Sequence, residues 1–342
     1  MKIAIRPADL DQDKEVLVTT LRRYLTPSSD ERRYDWLYRQ NPYGSARAWL
    51  AEDRETGEIV GSSAAFRRRA LAGGNARSGW VLGDFCVAER YRSLGPALQL
   101  QKATLAATEA VGETAFCYDF PSRQLTAIYG RLGIRPSAQM VRFAKLLRVD
   151  DKCRRLTGSR SLARSLSWMG NLLLRATDFS VGPRKRWEIE LRKGECGDEF
   201  TSLRKTKAPA NCIEIERTAE YLNWRYLRHP FFQHQILTAR RDGELQGYLV
   251  FSRDGDNAQI ADWCTGDDTA LLAFLIRDLA RRLRETRTET LSAYLLDSDP
   301  QLPVLRTIGF WPRESTPVMV HWPASAGSPT MPLRLMYGDR DS

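Results

Sequence analysis

Histidine is the scarcest chemically useful residue in this 342-residue chain, which has only His229, His234 and His321. So few histidines leave little material for a histidine-based metal site or for a Ser-His-Asp triad. We therefore expect no bound metal and no chemistry of the serine hydrolase type.

Closely spaced cysteines are also missing. No two of the six lie nearer than 16 residues, and they stand at Cys86, Cys117, Cys153, Cys196, Cys212 and Cys264. These spacings contain neither a CxxC pair nor a compact disulfide framework. We expect buried free thiols.

Long apolar runs are absent as well. No run reaches the ~18 residues that a membrane-spanning helix needs, and Met1 to Asp9 has no apolar core like that of a signal peptide. The sequence therefore predicts a cytoplasmic protein rather than an integral membrane protein.

The composition is that of a globular protein, with 42% apolar and 27% charged residues. This balance excludes a disordered, collagenous or coiled-coil chain. At about 150 residues per domain, the length predicts two domains, each large enough for its own core.

The two expected domains are related by a repeat. Four motifs recur in the same order at offsets that shrink from 188 to 176 residues, as small loop deletions would make them. They are Trp36-Leu37-Tyr38 with Trp224-Arg225-Tyr226, Gly57 to Gly61 with Gly243 to Gly247, Asp84-Phe85-Cys86 with Asp262-Trp263-Cys264, and Leu132-Gly133-Ile134 with Ile308-Gly309-Phe310.

Each repeat has the pattern of a mixed α/β domain: a strand, a helix, strands around a glycine turn, a long helix, a strand and a short helix. The predicted fold class is therefore α/β with a mixed sheet, used twice. The predicted segments are an N-terminal domain (1–148, half one), a basic helical connector (149–184), a C-terminal domain (185–325, half two) and a tail (326–342).

The net charge of +10 is concentrated around the connector, because residues 142–207 hold 17 Lys/Arg and 8 Asp/Glu. Leu162, Leu166, Met169, Leu173 and Ala176 fall on one helical face there. A linker helix with a solvated basic face is the favoured interpretation. Contact of residues 152–176 with a membrane surface or an acidic partner is the alternative.

The segment from Val87 to Ala97 ends one predicted strand and begins a long helix. Glycine and arginine at a helix N-terminus, where backbone N–H groups are free, suit a phosphate group. Gly95 permits close approach of a ligand, whereas Pro96 removes one N–H donor.

Arg92-x-x-Gly95-x-Ala97 resembles the pyrophosphate loop of the GNAT N-acetyltransferase superfamily, with Ser93 and Pro96 as departures. Ile5-Arg6-Pro7 and Tyr129-x-x-x-Gly133-Ile134 also resemble elements of that superfamily. The resemblance implies two tandem GNAT domains that use acetyl-CoA or another acyl-CoA. The cofactor-binding residues it implies are Cys86, Val87, Arg92, Ser93, Leu94, Gly95, Pro96 and Ala97.

Half two lacks the features that would carry the chemistry. At the offset of 178, Arg92, Gly95 and Ala97 become Ala270, Ala273 and Leu275, and at the offset of 176 Tyr129 becomes Leu305. We therefore expect half one to hold the cofactor and half two to be a degenerate copy.

The resemblance also implies catalytic roles. Val87 would contact the thioester or the pantetheine arm through its backbone, and Tyr129 would protonate the leaving thiolate. Glu89 and Asp84 are the candidate bases. Asp84 recurs as Asp262, which favours a scaffold role for it, and water reached through a carboxylate is a further alternative.

The leading hypothesis is an acyl-CoA-dependent N-acyltransferase that moves an acetyl group to an amine of a small molecule. Tyr221 to Tyr226 resembles a segment of bacterial tandem GNAT proteins, which implies an amino sugar or another intermediate of surface polysaccharide or secondary-metabolite biosynthesis. No DNA partner is expected, and the sequence leaves the oligomeric state, the acyl chain length and N- or O-acylation open.

Two alternatives remain. The basic charge would suit a Fem-type transferase that uses aminoacyl-tRNA, but such an enzyme has little use for a pyrophosphate loop, so a tRNA partner is disfavoured. The second alternative is a non-catalytic binding protein with the GNAT fold.

Overall fold

The structure is a computed structural model that describes residues 3–72, 75–92, 94–109, 114–158, 160–176, 187–207, 212–323 and 331–340. Its strands are β1 (Ile3–Pro7), β2 (Arg47–Asp53), β3 (Ile59–Ala72), β4 (Asn75–Val87), β5 (Thr114–Asp119), β6 (Pro136–Leu146), β7 (Glu188–Leu191), β8 (Ile213–Ile215), β9 (His234–Arg241), β10 (Glu244–Asp254), β11 (Asn257–Cys264), β12 (Thr290–Leu296), β13 (Trp311–His321) and β14 (Leu333–Arg334). Its α-helices are α1 (Lys14–Tyr24), α2 (Glu31–Tyr34), α3 (Leu94–Glu109), α4 (Arg123–Arg131), α5 (Asp150–Thr157), α6 (Arg160–Ala176), α7 (Asp198–Thr206), α8 (Ala219–Leu222), α9 (Thr269–Glu285) and α10 (Leu302–Thr307). The predicted mixed α/β fold class is confirmed.

The glycines of the repeated turn have the same two structural functions in each half. Gly57 and Gly243 take positive φ values of 69° and 81° in the turns before β3 and β10, a region that glycine enters without steric cost. Gly61 and Gly247 lie against the next strand, where a Cβ would stand 2.6 Å and 2.9 Å from the carbonyl oxygens of Cys86 and Cys264. Any side chain there would push two strands apart.

The sheet continues from one half into the other, and each half places its final strand in its neighbour. The strand order is β1-β2-β3-β4-β5-β13-β6-β12-β11-β10-β9-β7. Thus β13 of half two pairs with β5 of half one, and β6 of half one pairs with β12 of half two. The exchanged strands pair antiparallel with each other, with Thr316 opposite Met140. Hydrogen bonding therefore crosses the predicted boundary at 148.

The repeated tryptophans join the halves through a symmetric contact. The indole Nε1 of Trp36 donates to the carbonyl oxygen of Trp224, and Nε1 of Trp224 donates to that of Trp36, each over 2.8 Å. The two rings stack with centroids 5.2 Å apart. Both buried N–H groups are satisfied in this way, as buried polar groups must be.

A buried charged cluster anchors the C-terminal segment to half two. Arg217 is almost fully buried, and it donates to Asp262 over 2.9 Å and to Asp339 over 2.8 Å. Asp339 belongs to the C-terminal segment 331–340, which packs against both halves: the carbonyl oxygen of Asp339 accepts from Tyr118, and that of Gly338 accepts from Arg225. The segment is thus part of the folded core.

In each half, helices pack against the sheet through buried apolar side chains. Leu100 on α3 and Ile128 on α4 pack with Trp80 of β4, and Leu275 and Leu279 on α9 pack in the corresponding core of half two. Among the residues that the structure describes, no helix is long and apolar enough to cross a bilayer.

Candidate active site

The candidate site begins where β4 and β5, two parallel strands of half one, diverge. β4 and β5 pair from Ser78 and Thr114 to Val81 and Tyr118, after which β4 continues alone beside β3 to Val87. A bulge in the pairing of β3 and β4 falls at Asp84, whose φ is 48°. Bulges re-aim side chains and strand ends, and they are common next to active sites.

The predicted loop residues lie together at this strand end. Val87 is buried opposite Gly61, and its carbonyl oxygen accepts a 3.2 Å hydrogen bond from Nε of the exposed Arg92. Cys86 is buried with Sγ 3.3 Å from the hydroxyl of Ser62. Burial raises the pKa of the Cys86 thiol to about 11, so the thiol stays protonated near neutral pH.

The remaining loop residues form the first turn of α3, which begins at Leu94. Gly95 is exposed, and a Cβ built on it would meet no atom within 4 Å. Pro96 and Ala97 are buried beneath it. The first N–H groups of an α-helix have no partner within the helix, so this turn offers donors to an anion. Ser93 lies outside the described residues.

Tyr129 lies in a buried polar cluster of half one. Its hydroxyl donates to Oδ2 of Asp119 over 2.7 Å and accepts from Nε2 of Gln101 over 2.8 Å. These residues come from α4, from the end of β5 and from α3, respectively. Burial, followed by the charge of Asp119, raises the pKa of Tyr129 well above its usual value, so the phenol keeps its proton.

In half two, leucines occupy the positions that correspond to Gln101 and Tyr129. Gln101 corresponds to Leu279 at the offset of 178, and Tyr129 corresponds to Leu305 at the offset of 176. Both leucines are completely buried. Since the fold packs well with leucine in these places, the polar pair in half one is not required by packing alone. Gln101 was not among the residues predicted from the sequence, although its replacement by Leu279 in half two distinguishes it.

Asp84 is held on three sides by hydrogen bonds. Arg33 donates to both of its carboxylate oxygens, over 2.7 Å and 2.8 Å, and the hydroxyl of Tyr38 donates over 2.8 Å. In half two, Oδ2 of Asp262 accepts from Arg217 over 2.9 Å and from the hydroxyl of Tyr226 over 2.6 Å. An anchored, repeated carboxylate of this kind supports the scaffold interpretation of Asp84 over a role as base.

Glu89, the second base candidate, is exposed to solvent in the short helical turn Glu89–Tyr91. The neighbouring Arg90 forms an ion pair with Glu58. Glu89 is therefore exposed at the start of the loop, on a different element from the buried Tyr129 cluster.

Two cavities lie away from this strand end. One of about 340 Å³ is bordered by Tyr43, Arg67, Arg77 and Ser78, and one of about 260 Å³ by residues that include Arg69 and Lys205. Ser78 is nine positions before Val87 on β4, which is roughly 30 Å of extended strand. These cavities are thus separate from the loop.

Comparison with solved structures identifies the architecture. A GCN5-related N-acetyltransferase from Anabaena variabilis ATCC 29413 matches 94% of this chain and 73% of its own, with a TM-score of 0.66 and 14% identity. The chain has the GNAT fold. Saccharomyces cerevisiae N-myristoyltransferase with bound myristoyl-CoA matches 94% of this chain and 84% of its own, with a TM-score of 0.58 and 13% identity.

The GNAT fold predicted from the sequence is confirmed by these matches. Eis1 from Mycobacterium abscessus gives a similar result, with a TM-score of 0.59, 14% identity and coverage of 94% and 74% of the two chains. Neither a protein-family model nor a curated protein sequence matches this chain. Identity at this level establishes the fold and not the reaction.

Proposed function

We propose that this protein is an acyl-CoA-dependent N-acyltransferase that moves an acetyl group from acetyl-CoA to an amine of a small molecule. The observation that carries the proposal is the buried Asp119–Tyr129–Gln101 cluster, which occurs in the half that also has the Arg92 and Gly95 loop. In half two, Tyr129 and Gln101 are replaced by the buried leucines Leu305 and Leu279, whereas Asp119 recurs as Asp297, and the loop has lost its glycine and arginine.

The proposed cofactor site uses the end of β4 and the start of α3. The pyrophosphate would bind at the first turn of α3, with Gly95 allowing close approach and Arg92 adding positive charge. The pantetheine arm would enter between β4 and β5, where their pairing ends, beside Cys86 and Val87. The myristoyl-CoA bound by the yeast N-myristoyltransferase is a precedent for an acyl-CoA on this fold.

The proposed chemistry is direct acyl transfer. The amine nitrogen attacks the thioester carbonyl carbon, a C–N bond forms, and the C–S bond breaks to release the thiolate. Tyr129 supplies a proton to that sulfur and regains one from water after the thiol has formed, and the amine loses one to water or to a carboxylate such as Glu89. The high pKa of Tyr129 keeps the donor protonated, and Gln101 and Asp119 fix the position of its hydroxyl group.

Calorimetric titration with acetyl-CoA tests the cofactor site. Wild type should bind with a Kd on the order of micromolar, and Gly95→Trp should abolish binding because the indole would fill the open space at the first turn of α3. Gly197→Trp is the matched control, since Gly197 is also an open, exposed glycine at the N-terminus of a helix, α7 of half two. Equal loss in both variants, or no binding by folded wild type, would overturn the proposal.

The acceptor is tested separately, by measuring release of free CoA thiol from acetyl-CoA. We propose amino sugars and their phosphate-bearing forms as the first acceptors, because the chain is strongly basic and its Tyr221 to Tyr226 segment resembles proteins of surface polysaccharide biosynthesis. Myristoyl-CoA serves as the long-chain comparison for the acyl group. Binding of acetyl-CoA without turnover for any amine would favour the non-catalytic alternative.

A further inference from the structure

The connector helix α6 contacts the rest of the protein through its small and polar residues. Ser167 is buried, and Gly170 lies against Val149, whose side chain would be 2.7 Å from a Cβ at position 170. Asn171 accepts from the backbone N–H of Val149 over 3.0 Å and donates to Asp150. These positions recur three and four residues apart, so they define one face of the helix.

The opposite face of α6 is apolar and exposed. Its exposed large side chains are Leu162, Leu166, Trp168, Met169, Leu172 and Leu173, of which Trp168 and Leu173 are 71% and 67% exposed. A surface helix of a globular protein normally turns its apolar stripe toward the core. Here the orientation is reversed, because the face that packs inward carries Ser167, Gly170 and Asn171.

The charge around this face has one sign. Residues 152–176 contain six Lys/Arg and no Asp/Glu, and the two acidic residues that precede them, Asp150 and Asp151, are in the first turn of α5. Arg155 of α5 and Arg164 of α6 are exposed. An exposed face of leucine and tryptophan with adjoining arginines is typical of helices that lie in the interface of an anionic bilayer.

We propose that the α5–α6 hairpin (150–176) docks on the surface of an anionic phospholipid membrane, with the apolar face of α6 among the acyl chains and its arginines at the lipid phosphates. A helix of 17 residues is about 25 Å long, which is less than the ~30 Å of a bilayer core. The helix therefore lies along the surface and does not span it.

Charge also decides between a membrane and a second copy of this chain. Two α6 faces packed on each other would bring two sets of arginines together with no acidic residue in residues 152–176 to pair with them. Anionic lipid neutralises the same charge, so the membrane is the better partner.

Vesicle flotation tests the proposal with the full-length protein. Wild type should bind phosphatidylcholine vesicles that contain about a quarter phosphatidylserine. Binding should fall at least about tenfold on pure phosphatidylcholine, and also when salt is raised from about 0.1 to about 0.5 M. Trp168→Ser/Leu173→Ser should lose at least about tenfold on the anionic vesicles.

A matched control removes the same kinds of side chain elsewhere. Leu25→Ser/Phe232→Ser replaces one leucine and one aromatic residue that are 42% and 49% exposed, after α1 and before β9. This control should bind vesicles like wild type. Because the variants replace exposed side chains, they should keep the wild-type circular dichroism spectrum and melting temperature.

Three outcomes would overturn the proposal: no vesicle binding by wild type, equal binding to neutral and anionic vesicles, or equal loss in the control. A wild-type dimer that Trp168→Ser/Leu173→Ser dissociates, without vesicle binding, would assign the face to a second copy instead. None of these results depends on acetyl-CoA binding, so this proposal and the proposed enzyme activity can fail independently.

Discussion

At the scale of single residues, the Tyr129 hydroxyl distinguishes half one from half two. Tyr129→Phe removes the proposed proton donor while preserving the ring that packs against α3. We expect kcat to fall by about 10²-fold or more, with the Kd for acetyl-CoA unchanged. Steady-state kinetics with the best amine acceptor, together with calorimetry, measure the two effects separately.

Tyr226→Phe is the control for the general cost of deleting a buried phenol. Tyr226 donates to Asp262 over 2.6 Å in half two, so its loss should destabilise the fold by about 1–2 kcal/mol without lowering kcat. Unchanged turnover in Tyr129→Phe would show that the acid is another group or water. An equal fall in kcat for both variants would indicate that Tyr129 acts through stability.

At the scale of secondary-structure elements, close approach of β3 to β4 depends on Gly61. Gly61→Ala would place a Cβ 2.6 Å from the carbonyl oxygen of Cys86, so β3 and β4 must move apart near the end of β4. We expect a loss of about 1–3 kcal/mol in the free energy of unfolding. Urea denaturation followed by circular dichroism measures it.

Gly130→Ala makes the same chemical change at an open helical position. No atom lies within 4 Å of a Cβ at Gly130, which is in α4, and alanine favours helix by up to about 1 kcal/mol over glycine. The two substitutions should therefore have opposite signs. A neutral or stabilising Gly61→Ala would contradict the strand contact described for Gly61 and Cys86.

At the scale of the whole molecule, the exchanged strands couple the halves, and the buried Arg217 cluster anchors the C-terminal segment that contacts both. Asp339→Ala leaves the buried guanidinium of Arg217 with one carboxylate in place of two, and we expect a loss of about 3–5 kcal/mol. The halves should still unfold in a single transition, because β13 and β6 each belong to both. Urea unfolding followed by circular dichroism and by tryptophan fluorescence should give coincident curves.

Glu285→Ala provides the comparison for an exposed carboxylate. Glu285 pairs with Arg281 on the surface of α9, where such pairs contribute little, so the change should stay within about 0.5 kcal/mol. Separate transitions for the two probes, in wild type or in Asp339→Ala, would show that each half folds on its own despite the shared sheet.

Much of the fold could be predicted because it depends on local sequence signals. Gly57 and Gly243 mark turns that require positive φ, and the loop from Val87 to Ala97 has the pattern of a strand end followed by a helix start. Comparison of Tyr129 with Leu305 also indicated that the candidate proton donor belongs to half one. These signals depend on residues near one another in the chain, or on the repeat itself.

The exchange of β6 and β13 could not be predicted, because a strand's pattern shows which face is buried and not which strand lies beside it. The partners of Tyr129 were missed for a related reason. Gln101 and Asp119 are 28 and 10 residues away in the chain, and only the packing of α3 on β5 and α4 brings their polar atoms to one point.

The sequence alone determined the mixed α/β class, the repeated motifs and the half that keeps a basic glycine loop, since propensity, turn chemistry and residue identity are local. Tertiary structure decided where charge and apolar surface lie. It buries Arg217 and the C-terminal segment, and it turns the apolar face of α6 outward. Whether a residue is buried depends on the residues that pack against it, and many of these are distant in the sequence.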